Sequence, residues 1–215
     1  QSKSKNKVVI LDCCFSGKFG ELGVISSNET VLGEGVTIMT ASSRDQYAVE
    51  DGITGHGVFT ELLIQGLLGG AADVGGNITP ASLYSFVDQS LGAWEQRPLF
   101  KTNISRFLPI RTIKPKVPIE VLRKLSDYFQ NPDSEYSLDP SFEFTNNPEY
   151  KIEIKEPYAK DVNINKFKEL QLYESVGLIE PVDEEHMYFA AMNSKSCRLT
   201  PLGLHYWKLS KDKRF

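Results

Sequence analysis

An acid and two adjacent cysteines follow a short apolar run near the start of the chain, in the stretch VVILDCCFSGKFG at residues 8–20. Val8 to Leu11 is rich in β-branched residues and predicts a strand buried on both faces. Ser16 and Gly17 then predict a small turn. A cysteine at the carboxyl end of such a strand can point at a substrate, while backbone N–H groups of the turn face a developing oxyanion. These residue types favour nucleophilic chemistry by a thiolate.

Other interpretations of this stretch compete with a nucleophile. Gly17 and Lys18 fit the end of a phosphate-binding Walker A loop, but Asp12 and Phe19 stand where that motif needs Gly and Ser or Thr. A phosphatase-type cysteine loop needs an arginine shortly downstream, and the next arginine is Arg44. The remaining alternative is a pair of structural cysteines, because free cysteine is among the residue types most often buried.

The bulk composition limits the class of protein. The chain has 215 residues and a formal net charge of −4, so a general attraction to nucleic acid or anionic lipid is not expected. Three cysteines, two of them adjacent, do not form a disulfide framework and favour a reducing, cytoplasmic setting. The sequence contains neither a run long enough to span a membrane nor an apolar signal-peptide core.

Strand and helix patterns alternate in the first half of the chain. Val36 to Thr40 predicts a second strand, parallel to the first, and residues 57–68 have apolar side chains at helical spacing. Thr79 and Pro80 are typical of a helix start, and the apolar stripe predicts a helix over 80–92. Residues 106–110 predict a last strand. This alternation predicts an α/β layered domain.

The second half of the chain begins with a basic, proline-containing segment at 111–118 that predicts a boundary. A helix is expected over 120–129, and another from Asn165 to Val176 with Gly177 at its end. Residues 180–199 contain two short apolar runs with a polar centre and predict a hairpin. Thr200-Pro201 then opens a final helix. Helix, strand, hairpin and helix in about 50 residues resemble a winged-helix module.

The stretch ILDCCFSG resembles the nucleophile motif of caspase-like cysteine peptidases, in the metacaspase and bacterial caspase-like branch of clan CD. That branch typically reads Asp-x-Cys-His/Phe-Ser-Gly. The resemblance continues downstream in three segments. TASSRDQYAVED is similar to the opening of the family's small subunit, and GHGVFTELLIQGLLGGAADVGGNITPASLYSFV is similar to the two helices that follow it. QRPLFKTN is similar to the segment that leads to the last strand. Four segments occur in the family's order over residues 6–111.

The resemblance implies roles for individual residues. Cys14 matches the catalytic nucleophile, and its backbone N–H would form half of the oxyanion hole. Asp12 matches the acid of the pocket for the substrate residue before the cut, where a carboxylate favours Lys or Arg. Ser42, Ser43 and Asp45 correspond to the wall beside the substrate. The alternative to a substrate-binding role for Asp12 is a structural one, in which its carboxylate only caps the turn.

The catalytic histidine of the family lies upstream of the cysteine motif, and the chain begins after that point. We therefore expect an N-terminal peptidase fragment, carrying the histidine, as a partner. A Cys–His pair with His56 in the reverse chain order is the alternative. His186 and His205 are expected to be surface or core residues, and Cys197 a buried small apolar residue.

The expected architecture is a caspase-like, mostly parallel sheet flanked by helices and incomplete in this chain (1–111), a linker and helix (112–162) and a winged-helix-like α+β module (163–215). The expected activity is a cysteine endopeptidase that cuts proteins after Lys or Arg, as a prokaryotic stress or defence effector. No cofactor or metal is expected, and calcium activation is left open. The alternatives are an inactive caspase-like interaction protein and a winged-helix nucleic-acid binder.

The C-terminal module carries divided charge. Residues 193–215 hold six basic side chains against the single acid Asp212, whereas the helix before the predicted hairpin carries Glu169 and Glu174. A base-reading helix seldom carries acids at its surface, so we expect a sensor or adaptor protein as the partner of this module in preference to nucleic acid.

Overall fold

The protein was analysed as a computed structural model, which describes residues 4, 6–12, 34–41, 57–91, 97–105, 108–150 and 154–215. It is a mixed α/β protein with helices and small sheets. The chain divides into two compact units, residues 1–114 and 115–215.

Unit 1 contains five strands and two helices in its described part. The strands are β1 (Lys7–Leu11), β2 (Val36–Thr40), β3 (Asn77–Ile78), β4 (Leu99–Asn103) and β5 (Arg111–Thr112), and the helices are α1 (Val58–Gln65) and α2 (Pro80–Leu91). β1 pairs in parallel with β2, as predicted, and β4 pairs antiparallel with the other side of β2. β3 and β5 form a separate antiparallel pair.

The core of unit 1 lies between β2 and the two helices. Met39 and Ala41 on the sheet side are fully buried, together with Phe59 from α1 and Leu83 and Val87 from α2. The start of α2 is as predicted, because Thr79 Oγ1 accepts a hydrogen bond from the Ser82 backbone N–H over 3.1 Å. These helices hold the sheet from one face.

Three expectations for unit 1 need correction. β1 was expected to be buried on both faces, but Val8, Val9 and Ile10 are 36–39% exposed, because β1 pairs with β2 alone among the described strands. The last strand of the sheet is Leu99–Asn103, whereas 108–110 are irregular. The α-helical part of α1 ends at Gln65 and gives way to a wider π-helical turn over Gly66–Gly70.

The described residues of unit 2 form three strands, five α-helices and a short 3-10 helix at Pro140–Phe142. The elements are α3 (Ile119–Leu122), α4 (Leu125–Tyr128), β6 (Glu135–Ser137), α5 (Asp161–Ser175), β7 (Ile179–Pro181), α6 (Met187–Met192), β8 (Ser196–Leu199) and α7 (Pro201–Lys211). The sheet order is β6-β8-β7 and both pairings are antiparallel. The segment expected to be a linker and helix, 112–162, thus supplies one strand and two helices of this unit.

Helix ends in unit 2 follow their sequence signals, but two elements differ. Gly177 adopts φ 72° after α5, and Thr200 caps α7 by accepting from the Gly203 N–H over 3.0 Å. The helix expected over 120–129 is two short helices. The expected hairpin is interrupted, because the apolar run MYFAAM forms α6 between β7 and β8 and buries Met187, Ala190, Ala191 and Met192.

Candidate active site

The carboxyl ends of β1 and β2 lie side by side. In the parallel register Leu11 is paired with Thr40, and the Ala41 backbone N–H donates to the Leu11 carbonyl over 2.9 Å. Asp12 and Ala41, the next residue of each strand, therefore leave the sheet at the same edge. In α/β sheets this edge is where ligands bind.

Asp12 is exposed, and its carboxylate lies at the first turn of α1. The Thr60 hydroxyl donates a hydrogen bond to Asp12 Oδ2. A side chain at Gly57, the residue before α1, would place its Cβ 3.0 Å from the same oxygen, so the absence of a side chain makes room for the carboxylate. A negative charge at a helix N-terminus is favourable, because the unpaired N–H groups there carry a partial positive charge.

Thr60 is a site residue that sequence reasoning missed. It lies 48 positions from Asp12, so no local pattern connects the two. The usable signal is a threonine in the first turn of a helix that follows a glycine.

Most of the predicted site residues lie outside the described residues. This applies to Cys14 and its neighbour Cys13, to Ser42, Ser43 and Asp45, and to His56. Of the described flanking residues, Asp12 directly precedes the cysteine pair and Ala41 directly precedes Ser42. The roles of Cys14, Ser42, Ser43, Asp45 and His56 stay predictions.

The other histidines and the third cysteine belong to unit 2. His186 and His205 are exposed, and the His186 ring stacks on Phe189 with centroids 6.2 Å apart. Cys197 is fully buried on β8, as predicted. Burial raises the pKa of its thiol to about 12, and the acids Glu174 and Glu135 add to the effect. This thiol is therefore not a nucleophile near neutral pH.

A polar cluster joins α4 to α5 in unit 2. Glu169 accepts hydrogen bonds from the Lys124 ammonium over 2.5 Å and from the Tyr128 hydroxyl over 2.7 Å. Burial raises the pKa of Glu169, but these hydrogen bonds and the Lys124 charge outweigh burial, so its pKa lies below the ordinary value. Burial and the bond to Glu169 raise the pKa of Tyr128. The cluster lines a cavity of about 520 Å³.

Neither a metal site nor a membrane span is found in the part of the chain that the structure describes. No group of three or more His, Cys, Asp or Glu side chains there is arranged to hold a metal ion. No described helix combines the length and apolar character that crossing a membrane requires.

Comparison with protein-family models, curated proteins and solved structures finds no match to this chain.

Proposed function

We propose that unit 1 is the C-terminal part of a caspase-like cysteine endopeptidase that cuts proteins after Lys or Arg in a cytoplasmic setting. The observation that carries the proposal is the register of β1 and β2. It places Asp12, two residues before Cys14, beside Ala41, the residue before the expected substrate wall. The nucleophile Cys14, the acid Asp12 that binds the substrate side chain and the residues that line the substrate would then lie at one edge of the sheet.

In the proposed reaction the Cys14 thiolate attacks the carbonyl carbon of the scissile peptide bond. A histidine of another polypeptide accepts the thiol proton and passes it to the leaving amine. Backbone N–H groups, including that of Cys14, stabilise the oxyanion of the tetrahedral intermediate. Water then adds to the thioester and releases the carboxylic acid and the free thiol.

Asp12 would select the basic side chain before the cut. Its exposure supports this role, because a carboxylate that meets solvent is open to a guanidinium or ammonium and pairs with it through charge-assisted hydrogen bonds.

An N-terminal peptidase fragment is proposed as the partner that completes unit 1. Val8, Val9 and Ile10 on β1 are each more than one-third exposed, and β1 has a neighbour on only one side among the described strands. A further strand on the open side would pair the backbone edge of β1 and place its own side chains beside these residues, which supports an added strand here.

Unit 2 is proposed to be a winged-helix-like module that binds a sensor or adaptor protein. The support is its β6-β8-β7 antiparallel sheet, with α5 directly before β7. Glu169 on α5 is engaged by Lys124 and Tyr128, which argues against α5 as a base-reading helix.

A second candidate is a catalytically inactive interaction protein with the same fold. One observation favours it: Asp12 already has a structural partner in Thr60 at the start of α1, and this contact needs no substrate. In that case the acid would serve helix α1 alone.

Peptide hydrolysis by the protein together with the histidine-bearing polypeptide separates the two candidates. We expect cleavage of fluorogenic peptides ending in Arg or Lys, loss of cleavage with Cys14→Ala, and retention with Cys13→Ala. Asp12→Asn should lower kcat/KM for Arg peptides by about a hundredfold, since one charge-assisted pair is lost, while Asp133→Asn in unit 2 should not. Equal cleavage by the Cys14→Ala protein, or none by any form, would overturn the peptidase proposal.

A further inference from the structure

A groove with an apolar floor runs along α7 in unit 2. It has a volume of about 620 Å³, and its apolar lining, called the floor here, consists of Pro132, Pro201, Leu204 and Trp207. Trp207 is 8% exposed and Leu204 42% exposed. The Trp207 indole N–H donates inward to the Phe129 carbonyl over 2.6 Å, so its one polar atom is already satisfied. The floor therefore offers apolar surface to a ligand.

The rim of this groove is mainly basic. Lys208 and Lys211 lie on it, with His205 and the acid Asp212, and the Lys211 ammonium is 4.7 Å from the centre of the Trp207 ring. Lys208 and Lys211 are exposed, so their charges reach solvent. A ligand that meets this rim gains from negative charge, and a basic ligand is repelled.

A second cavity continues the basic surface beyond Lys211. It encloses about 500 Å³ and is lined by Arg123, Lys211 and Lys213, with Ser126 and Asp127 beside them. Lys211 lines both cavities, so the two adjoin at this side chain. Of the six basic residues in 193–215, Lys208, Lys211 and Lys213 line these cavities, whereas Lys195 and Arg198 pair with Asp183 and Glu180 elsewhere in the unit.

We infer that this surface, called the α7 groove, binds an acidic peptide segment of a partner protein that inserts one bulky apolar side chain. The inserted side chain would lie on Trp207 and Leu204, and flanking carboxylates would meet Lys208, Lys211 and Lys213. The volume suits several residues of an extended or helical segment. The inference rests on the proposal that unit 2 binds a protein and is independent of the peptidase activity.

A nucleic acid is the weaker candidate for the same charges. An apolar floor gains nothing from a phosphate backbone, whereas it gains from a buried apolar side chain. The apolar lining of the groove therefore favours a peptide.

Fluorescence anisotropy with the full chain tests the inference. The probe is a labelled twelve-residue peptide of Glu and Asp with one central Phe, and the comparison probes replace the acids by Lys, or the Phe by Ser. We expect binding of the first probe alone, weakened by salt. Lys208→Glu/Lys211→Glu should weaken it at least about tenfold, while the charge-matched control Lys116→Glu/Lys168→Glu, at exposed lysines that line neither cavity, should not.

Leu204→Ser provides a variant that keeps the charges and removes part of the floor. It should weaken the Phe peptide and leave any residual binding of the Ser peptide unchanged. Circular dichroism of each variant checks the fold. Four outcomes would each overturn the inference without bearing on Cys14. The acidic Phe probe does not bind, or the Lys or Ser probe binds with equal affinity. Alternatively, the two double variants lose equal affinity for the acidic Phe probe, or a DNA duplex binds more tightly than that probe.

Discussion

At the residue scale, Cys197 is a structural thiol, whereas Cys14 is proposed to be the catalytic one. Cys197 lies on β8 at 0% exposure, and burial raises its pKa to about 12, so thiolate is scarce at neutral pH. We predict that iodoacetamide leaves Cys197 unmodified in the folded chain and modifies it after unfolding in urea. Mass spectrometry of tryptic peptides measures both states. Similar rates in the two states would contradict the buried assignment.

Gly203 gives the second residue-scale prediction, and it opposes helix propensity. An alanine in a helix is ordinarily more stable than glycine by about 1 kcal/mol. Here the added Cβ would lie 1.7 Å from the Leu178 carbonyl oxygen, a backbone atom that cannot rotate away. We predict that Gly203→Ala destabilises the chain by about 2 to 3 kcal/mol in urea unfolding, because α7 must shift from the turn before β7.

Gly177→Ala is the matched control for Gly203→Ala. Its φ is 72° and no atom lies within 4 Å of the added Cβ, so only backbone strain opposes it. The expected cost is about 1 kcal/mol. If Gly203→Ala were no worse than Gly177→Ala, the close approach of α7 to Leu178 would be refuted.

At the scale of elements, the contact of α4 with α5 predicts a pH dependence. The pKa of Glu169 is lower in the folded chain than its ordinary value of 4.5, because the Lys124 and Tyr128 bonds outweigh burial. Its contribution to stability is therefore fully present above the unfolded pKa and is lost as pH falls through the lowered folded pKa. Glu169→Gln should make urea unfolding less pH-dependent in that acidic range.

The control for this pH dependence is Glu149→Gln, at an exposed carboxyl. Its unfolding midpoint should follow that of the unchanged chain at each pH. If the Glu169→Gln chain and the unchanged chain lose the same amount of stability on acidification, the α4–α5 contact does not depend on the Glu169 charge.

Local signals at element ends could be predicted from sequence, and long-range pairings could not. Thr79-Pro80 and Thr200-Pro201 begin helices because capping involves residues three positions apart. β4 was missed because its partner β2 lies about 60 residues away and LFKTN has no alternating pattern. α6 was missed because a six-residue apolar run fits a strand or a helix equally well.

The candidate site follows the same division. The place of Asp12 at a strand end could be predicted, since the apolar run stops at Leu11. Its bond to Thr60 could not, because it joins residues 48 positions apart. The exposure of Val8 to Ile10 was also missed, since burial depends on neighbours outside the strand itself.

At the scale of the molecule, two units with separate cores predict separable folding. Unit 2 buries Leu125, Phe129, Leu170 and Leu178 within residues 115–215. We predict that residues 115–215 expressed alone give a cooperative urea transition with the helical circular dichroism expected for this unit. A broad, non-cooperative transition would show that unit 2 needs unit 1 to fold.

Alkylation of the Cys14 sulfur, in the protein assembled with the proposed histidine-bearing polypeptide, tests the peptidase proposal most directly. A peptidyl chloromethyl ketone with Arg next to the reactive group alkylates an active thiolate, which displaces chloride and forms a thioether. We predict one adduct, at Cys14. It should be absent in Cys14→Ser and present in Cys13→Ser, and it should form much more slowly when the reagent carries Asp in place of Arg. Alkylation of Cys13 in preference to Cys14, or an unmodified Cys14 in the folded assembly, would contradict the proposal.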